Sequence, residues 1–403
     1  MTIEDSTVRA ESAFSHATLG GVTLRNRIIK AATFEGMCPD GVPSDALVEH
    51  HRAIAAGGAA MTTVAYCSVS PEGRSYGTQM WIRPEIVGSL TALTKAVHAE
   101  GGAAAIQLGH CGYFANAGVI GGRPLAPSVR FNTYGLSFSR AMTTSDMTRV
   151  ADDFARATKL AVEAGFDAVE IHMGHGYLLS QYLSPYTNRR KDAWGGALEN
   201  RLRFPLQVIA RVLDVMPANK AVIVKMNLTD GFRGGLGVDE AIQVAKALEE
   251  SGVHALVLSG GFVSKTPLYM LRGEVPLKEM MAVQKIWWQR LGLYLFGRFF
   301  VQAYPYTEMF FFEEAKRVRE AVSMPLVLLG GIRSRANIEH AMGAGFDFVS
   351  MGRALIHDPD LVQKMARGVV NASECTPCNR CIAEMDRGGV RCVLPAKVDQ
   401  PSS

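Results

Sequence analysis

The chain has 403 residues, 48% hydrophobic and 20% charged, a balance that suits a well-cored globular protein and excludes a disordered one. Forty glycines against seventeen prolines, without a three-residue period, exclude a collagen-like chain. Forty-two Lys and Arg against thirty-eight Asp and Glu leave a net charge of +4, spread evenly, so no nucleic-acid partner is expected.

The opening stretch MTIEDSTVRAESAFSHATLGG carries acidic residues early and lacks the apolar core of a signal peptide. No window approaches the roughly 18 uninterrupted apolar residues of a membrane span. Cysteines number seven, and four of them crowd into positions 375–392 instead of spreading as pairs. That usage points to a reducing, cytoplasmic setting.

In chain order, short β-branched apolar runs predict strands at Ile28–Thr33, Ala59–Ala65, Ala103–Leu108, Ala168–His172, Val222–Met226, Ala255–Leu258, Leu326–Leu329 and Phe348–Met351. Amphipathic patterns between them predict helices at Asp152–Ala164, Leu198–Val215, Val238–Ser251, Glu313–Ser323 and Ser334–Gly343, several ending on glycine. Eight strands alternating with helices or long loops match an α/β fold, the (β/α)₈ TIM barrel. No GxGxxG stands between a strand and a helix, which counts against a dinucleotide-binding sheet.

Barrel enzymes place their chemistry at the C-terminal ends of the strands. The runs Gly330-Gly331 after the seventh strand and Gly352-Arg353 after the eighth predict a phosphate site made of exposed backbone N–H groups and a guanidinium. Two tight turns would also use such glycines, but the pairing with Arg353 on adjacent strands favours phosphate. His172, His175 and Tyr177 fall where the fourth strand ends, and two imidazoles and a phenol there suit binding a carbonyl oxygen and supplying a proton. A His-x-x-His zinc site lacks a third ligand at suitable spacing, and a pair of satisfied core histidines fits the barrel mouth poorly. Lys225 interrupts an apolar strand, so it either meets a carboxylate or faces an electron-rich ligand.

The runs Arg25–Lys30, Ala105–His110, His172–Leu179 and Leu183–Arg201 resemble the Old Yellow Enzyme family from about residue 15 to 370, most specifically between His172 and Arg201. The resemblance implies an FMN-containing barrel that takes hydride from NAD(P)H and reduces the carbon–carbon double bond of an α,β-unsaturated carbonyl compound. It places Ala31, Ala32 and Thr33 along the flavin, Gln107 on its pyrimidine part and Lys225 near its N1 and O2 edge. It places Gly331, Gly352 and Arg353 at the FMN phosphate, His172 and His175 on the substrate carbonyl and Tyr177 as proton donor. Family habit implies a homo-oligomer. Phe34 and Tyr66 depart from the smaller or polar residues usual at their positions. An oxidative flavin enzyme of the trimethylamine dehydrogenase type and a non-catalytic flavin-binding module are the alternatives, the second weakened by the intact His172, His175 and Tyr177.

Two additions lengthen the barrel, which is taken to run over 1–370. Residues 262–312 form an insertion after the sixth strand with thirteen aromatics, among them Trp287, Trp288, Phe299 and Phe300. It reads as a helical subdomain with its own core or a dimer contact, and alternatively as a lid over the flavin or an interfacial surface through 285–312. The tail, 371–403, carries Cys375-x2-Cys378-x2-Cys381-x10-Cys392, a spacing that favours a metal over disulfides. A [4Fe–4S] cluster of the kind found in the dienoyl-CoA reductase branch is expected there, with structural zinc or free thiols as alternatives. Two of the intervals are one residue shorter than in that branch.

Overall fold

A computed structural model describes residues 13–132, 135–284 and 286–394. Residues 1–12 and the end of the tail, 395–403, therefore lie outside the described residues, as do the side chains of Trp288 and residues 298–300 in the insertion.

The barrel strands are β1 (Ile28–Lys30), β2 (Met61–Ser68), β3 (Ala103–Gly109), β4 (Ala168–Met173), β5 (Ala221–Asn227), β6 (Ala255–Ser259), β7 (Leu326–Leu329) and β8 (Phe348–Met351). All neighbours are parallel, and β8 returns to β1 through the Val349–Ile28 register, closing the barrel. The chain is the (β/α)₈ TIM barrel expected. Strands such as β5 and β6 are buried at every position because the barrel interior covers one face and helices the other. An antiparallel hairpin, Ala17–Leu19 with Val22–Leu24, packs its apolar residues against the strand starts and closes the N-terminal end.

Eight helices wrap the outside: α1 (Asp45–Ala56), α2 (Val87–Ala99), α3 (Thr144–Glu163), α4 (Leu198–Leu213), α5 (Val238–Glu250), α6 (Phe312–Arg319), α7 (Arg335–Gly343) and α8 (Leu361–Ala366). Helix α3 begins at Thr144, well before the expected Asp152, because Thr143 and Asp146 form a reciprocal capping box that satisfies its first N–H groups. Conversely, β1 stops at Lys30, so Ala31, Ala32 and Thr33 lie in the loop beyond it. No described helix is long and apolar enough to cross a membrane.

The insertion folds into helices Leu277–Val283 and Trp287–Phe300. Gln289, Gly292 and Leu293 turn inward onto the large cavity at the C-terminal end of the barrel, while Trp287 and Tyr294 on the far side are 75% and 73% exposed. The second helix of the insertion thus lines the cavity on one side and exposes the other. At its base the insertion is tied to the tail, since Glu274 N–H donates to Pro377 O at 2.9 Å and Asn379 Nδ2 donates to Glu274 O at 2.9 Å.

Candidate active site

A cavity of about 1680 Å³ opens where the strands end, and every sequence-predicted flavin residue lines it: Ala31, Ala32, Thr33, Gln107, Lys225, Gly331, Gly352 and Arg353. His172, His175 and Tyr177 line the same cavity. The barrel therefore brings together residues spread over more than 300 positions.

Beneath the cavity lies a layer of buried charge. Lys225 Nζ sits 2.9 Å from Glu170 Oε1, which also accepts a hydrogen bond from Gln107 Nε2 at 2.6 Å. Lys225 thus meets a carboxylate and also reaches the cavity. Alongside, Lys30 Nζ pairs with Glu35 Oε1 at 2.6 Å, and Glu35 Oε2 accepts from Ala65 N–H at 3.0 Å. Burial alone would raise the Glu35 carboxyl, but Lys30, His51 and His50 together pull it down to about 2. This pairing anchors the loop that carries Ala31–Phe34.

At the end of β4 the chain turns so sharply that His175 takes a φ of +57°. His175 N–H donates to Asn227 Oδ1 at 2.9 Å, and its Nε2 lies 2.7 Å from Ser259 Oγ, a buried hydroxyl at the end of β6. His172 Nδ1 accepts from Gly174 N–H at 3.4 Å, a long bond that leaves the Nε2 side for a proton. Burial, then His175 and Lys225, push His172 far below the usual imidazole range, and burial and Lys225 hold His175 near about 3, so both rings are neutral near pH 7. The Tyr177 ring lies against His172 with centroids 4.4 Å apart. Burial keeps its phenol protonated well above the ordinary tyrosine range.

Sequence reasoning left three residues without a role. Glu170 and Ser259 sit within apolar strand runs, where only the barrel register shows what they face. Tyr66, noted as a departure, stands in the cavity wall with its ring centroid 5.0 Å from that of Tyr177.

Residues 12–266 match the sequence model of the NADH:flavin oxidoreductase / NADH oxidase family, and residues 308–374 match that of histidine biosynthesis proteins. The first match spans more than half of the chain. The chain belongs to the NADH:flavin oxidoreductase / NADH oxidase family. This is the Old Yellow Enzyme family indicated by the His172–Arg201 stretch, and the protein is an NAD(P)H-dependent flavin oxidoreductase. It is 43% identical over 391 residues to the 4,4'-dithiodibutanoate disulfide reductase of Rhodococcus erythropolis, covering 96% of each chain. It is 30% identical over 372 residues to the NADH oxidase of Thermoanaerobacter brockii, covering 91% of this chain and 52% of that one, so it spans about half the length of that relative. In fold it matches the 2-naphthoyl-CoA reductase complex with a TM-score of 0.78 at 22% identity, over 94% of this chain and 56% of that one.

The family implies FMN, and the residues present suit it. Thr33 on the cavity wall carries a hydroxyl with no hydrogen-bond partner among the described residues, and Arg333, ion-paired with Glu308 at 3.7 Å, lines the same cavity. Gly331 has φ +75°, and a Cβ there would meet Met309 N at 2.9 Å, so the turn stays bare backbone.

The four tail cysteines expected to hold a metal or iron–sulfur cluster lie within electrostatic reach of one another, Cys381 of Cys375, Cys378 and Cys392, and Cys375 of Cys378 and Cys392. Among the described residues no three His, Cys, Asp or Glu side chains are grouped to hold one ion. Cys375, Cys378, Cys381 and Cys392 form no disulfide, and Cys392 Sγ lies 3.1 Å from His357 Nδ1. Asn379, between two of these cysteines, bonds Glu274 and Arg353 and so ties the loop to the insertion. The tail thiols are partly buried, with Cys375 and Cys381 on the cavity wall.

Proposed function

We propose that this flavin oxidoreductase reduces the carbon–carbon double bond of an α,β-unsaturated carbonyl compound, with NAD(P)H as hydride donor. The observation that carries the reading is the packing of Tyr177 against His172, ring centroids 4.4 Å apart, on the wall of the cavity reached by Lys225 and Gln107.

When bound, FMN supplies a two-electron relay between NAD(P)H and the acceptor. Ala31, Ala32 and Thr33 would flank its ring, Gln107 would donate to the pyrimidine edge, and Lys225 would place positive charge where the reduced ring is negative. Gly331, Gly352 and Arg353 would hold the phosphate. Arg353 is pre-positioned for this by Arg272 O, which accepts from Nη1 at 3.0 Å, and by Asn379 Oδ1.

The acceptor carbonyl would lie against His172 Nε2–H. With Ser259 donating to His175 Nε2, the His175 Nδ1–H is the second donor. Two neutral N–H groups polarise the carbonyl without protonating it, which leaves the β-carbon electron-poor. Tyr177, held protonated by burial, gives its proton to the α-carbon. Hydride and proton together saturate the double bond, and NAD(P)⁺ leaves. A second reading, reduction of a small disulfide, is supported by the nearly full-length relative that is named for that reaction.

Anaerobic stopped-flow decides between them. Holoenzyme bleached by NAD(P)H should recover its flavin absorbance on addition of 2-cyclohexen-1-one. Recovery with a disulfide but with no enone would replace the first reading by the second.

A further inference from the structure

We infer that Tyr66 is a positioning residue for proton transfer at Tyr177; the inference rests on the reading of Tyr177 as proton donor. Tyr66 lies on β2 with its ring edge-on to Tyr177, centroids 5.0 Å apart and planes 64° apart, and edge-on to His172 at 6.1 Å. Gly109 makes this approach possible, because its missing Cβ would stand 3.3 Å from both Tyr66 and His172.

The Tyr66 hydroxyl is held by a small buried network. It bonds Cys111 Sγ and lies 3.4 Å from Ser75 Oγ, and Ser75 in turn donates to Gln79 Oε1 at 3.0 Å. Gln79 Oε1 also takes the Ser75 N–H at 2.7 Å, so the Ser75 proton is committed to it. The Cys111 thiol stays protonated, since burial pushes it up to about 12, and its S–H can donate to the Tyr66 oxygen. With Cys111 as the donor, the single Tyr66 proton is available to the phenol oxygen of Tyr177, whose ring lies edge-on with centroids 5.0 Å apart.

The need for such a partner is physical. When Tyr177 gives its proton to the acceptor carbon, the phenolate left behind is partly buried. An unassisted buried anion is costly, and a hydrogen-bond donor at its side lowers that cost in the transition state, where the charge is forming. Tyr66 forms no bond to the acceptor and changes no electron count. It lends its O–H to the Tyr177 oxygen and takes it back when solvent reprotonates Tyr177.

The test uses holoenzyme with Tyr66→Phe, which keeps the ring and removes only the hydroxyl, beside Tyr177→Phe and the double variant. Reoxidation of the reduced flavin by 2-cyclohexen-1-one should slow by about tenfold in Tyr66→Phe, while flavin reduction by NAD(P)H and the acceptor Kd stay near wild type. The double variant should be no slower than Tyr177→Phe, because the hydroxyl acts only through that residue. Equal slowing of both half-reactions, a raised acceptor Kd with an unchanged rate, or additive losses in the double variant would overturn the inference. A slow Tyr177→Phe beside a wild-type Tyr66→Phe would remove this inference alone; a wild-type Tyr177→Phe would remove the proton-donor reading and this inference with it.

Discussion

Lys225 Nζ and Glu170 Oε1 are 2.9 Å apart on adjacent strands, both side chains buried, and the same carboxylate oxygen accepts from Gln107 Nε2. One acid therefore aims two of the groups expected to touch the flavin. Removing one partner of a buried pair strands the other and typically costs about 3–5 kcal/mol. Glu170→Ala should lose stability on that scale and weaken FMN binding by about tenfold or more. Chemical denaturation and titration of FMN into apoprotein report both, and wild-type values in each would remove Glu170 from the site.

Acid should destabilise the protein well above the usual carboxylate range. Burial holds His50 and His175 near about 3 and lowers His51 and His172 as well. Each folded-state value lies below the unfolded value of about 6.5, so the unfolded chain binds those protons first as pH falls. The stability of the neutral rings is complete above about 6.5 and is lost on the way down, by about 1.4 kcal/mol per pH unit for each histidine. Glu35, held at about 2 against an ordinary 4.5, adds a further loss at lower pH. Urea denaturation between about pH 7 and pH 5 should show stability falling steadily, with a shallower slope in His50→Gln. A flat profile over that window contradicts the burial of these rings.

The barrel was legible because its strands are apolar on both faces and its helices on one, two periods that survive in the bare chain. The His172–His175–Tyr177 group was legible because three polar residues follow directly on a strand. Glu170 was visible as a charge in the run AVEIHM, but its partner lies on the next strand and follows only from the register that pairs His172 with Lys225. The start of α3 was hidden because its first turns are polar and its capping box replaces the apolar signal. The docking of the tail on the insertion joins Asn379 to Glu274 across 105 positions, a contact no local pattern encodes.

Gly109 shapes the reactive end of the cavity through the methyl it lacks. A Cβ there would stand 3.3 Å from His172 Cβ and 3.3 Å from Tyr66 Cδ2, so both must shift by a few tenths of an ångström. Overpacking of this kind typically costs about 1–3 kcal/mol, and misplacement near reacting groups costs rate as well. Gly109→Ala should retain FMN yet lower kcat/KM for the enone by about tenfold or more. Gly343→Ala, where an added Cβ meets nothing within 4 Å, is the control and should behave as wild type. Equal activity of the two variants would show that this approach is not needed for turnover.

Asn379 ties the tail, the insertion and the expected phosphate site into one strap. Its Oδ1 accepts from Arg353 Nη1, its Nδ2 donates to Glu274 O at 2.9 Å, and its backbone sits at φ +57°, a conformation asparagine tolerates better than most residues. The same Arg353 Nη1 also donates to Arg272 O at 3.0 Å, so the strap fixes one end of the guanidinium. Asn379→Ala removes both side-chain bonds and strains the turn, a loss of about 2–3 kcal/mol confined to this strap. Limited proteolysis should then cut the tail faster, and FMN should dissociate faster as Arg353 is released. Asn379→Asp keeps the acceptor for Arg353 and loses only the donor to Glu274, so it should loosen the tail while largely sparing FMN retention. If Asn379→Ala holds FMN as tightly as wild type while its tail is cut faster, the strap fastens the insertion without positioning Arg353.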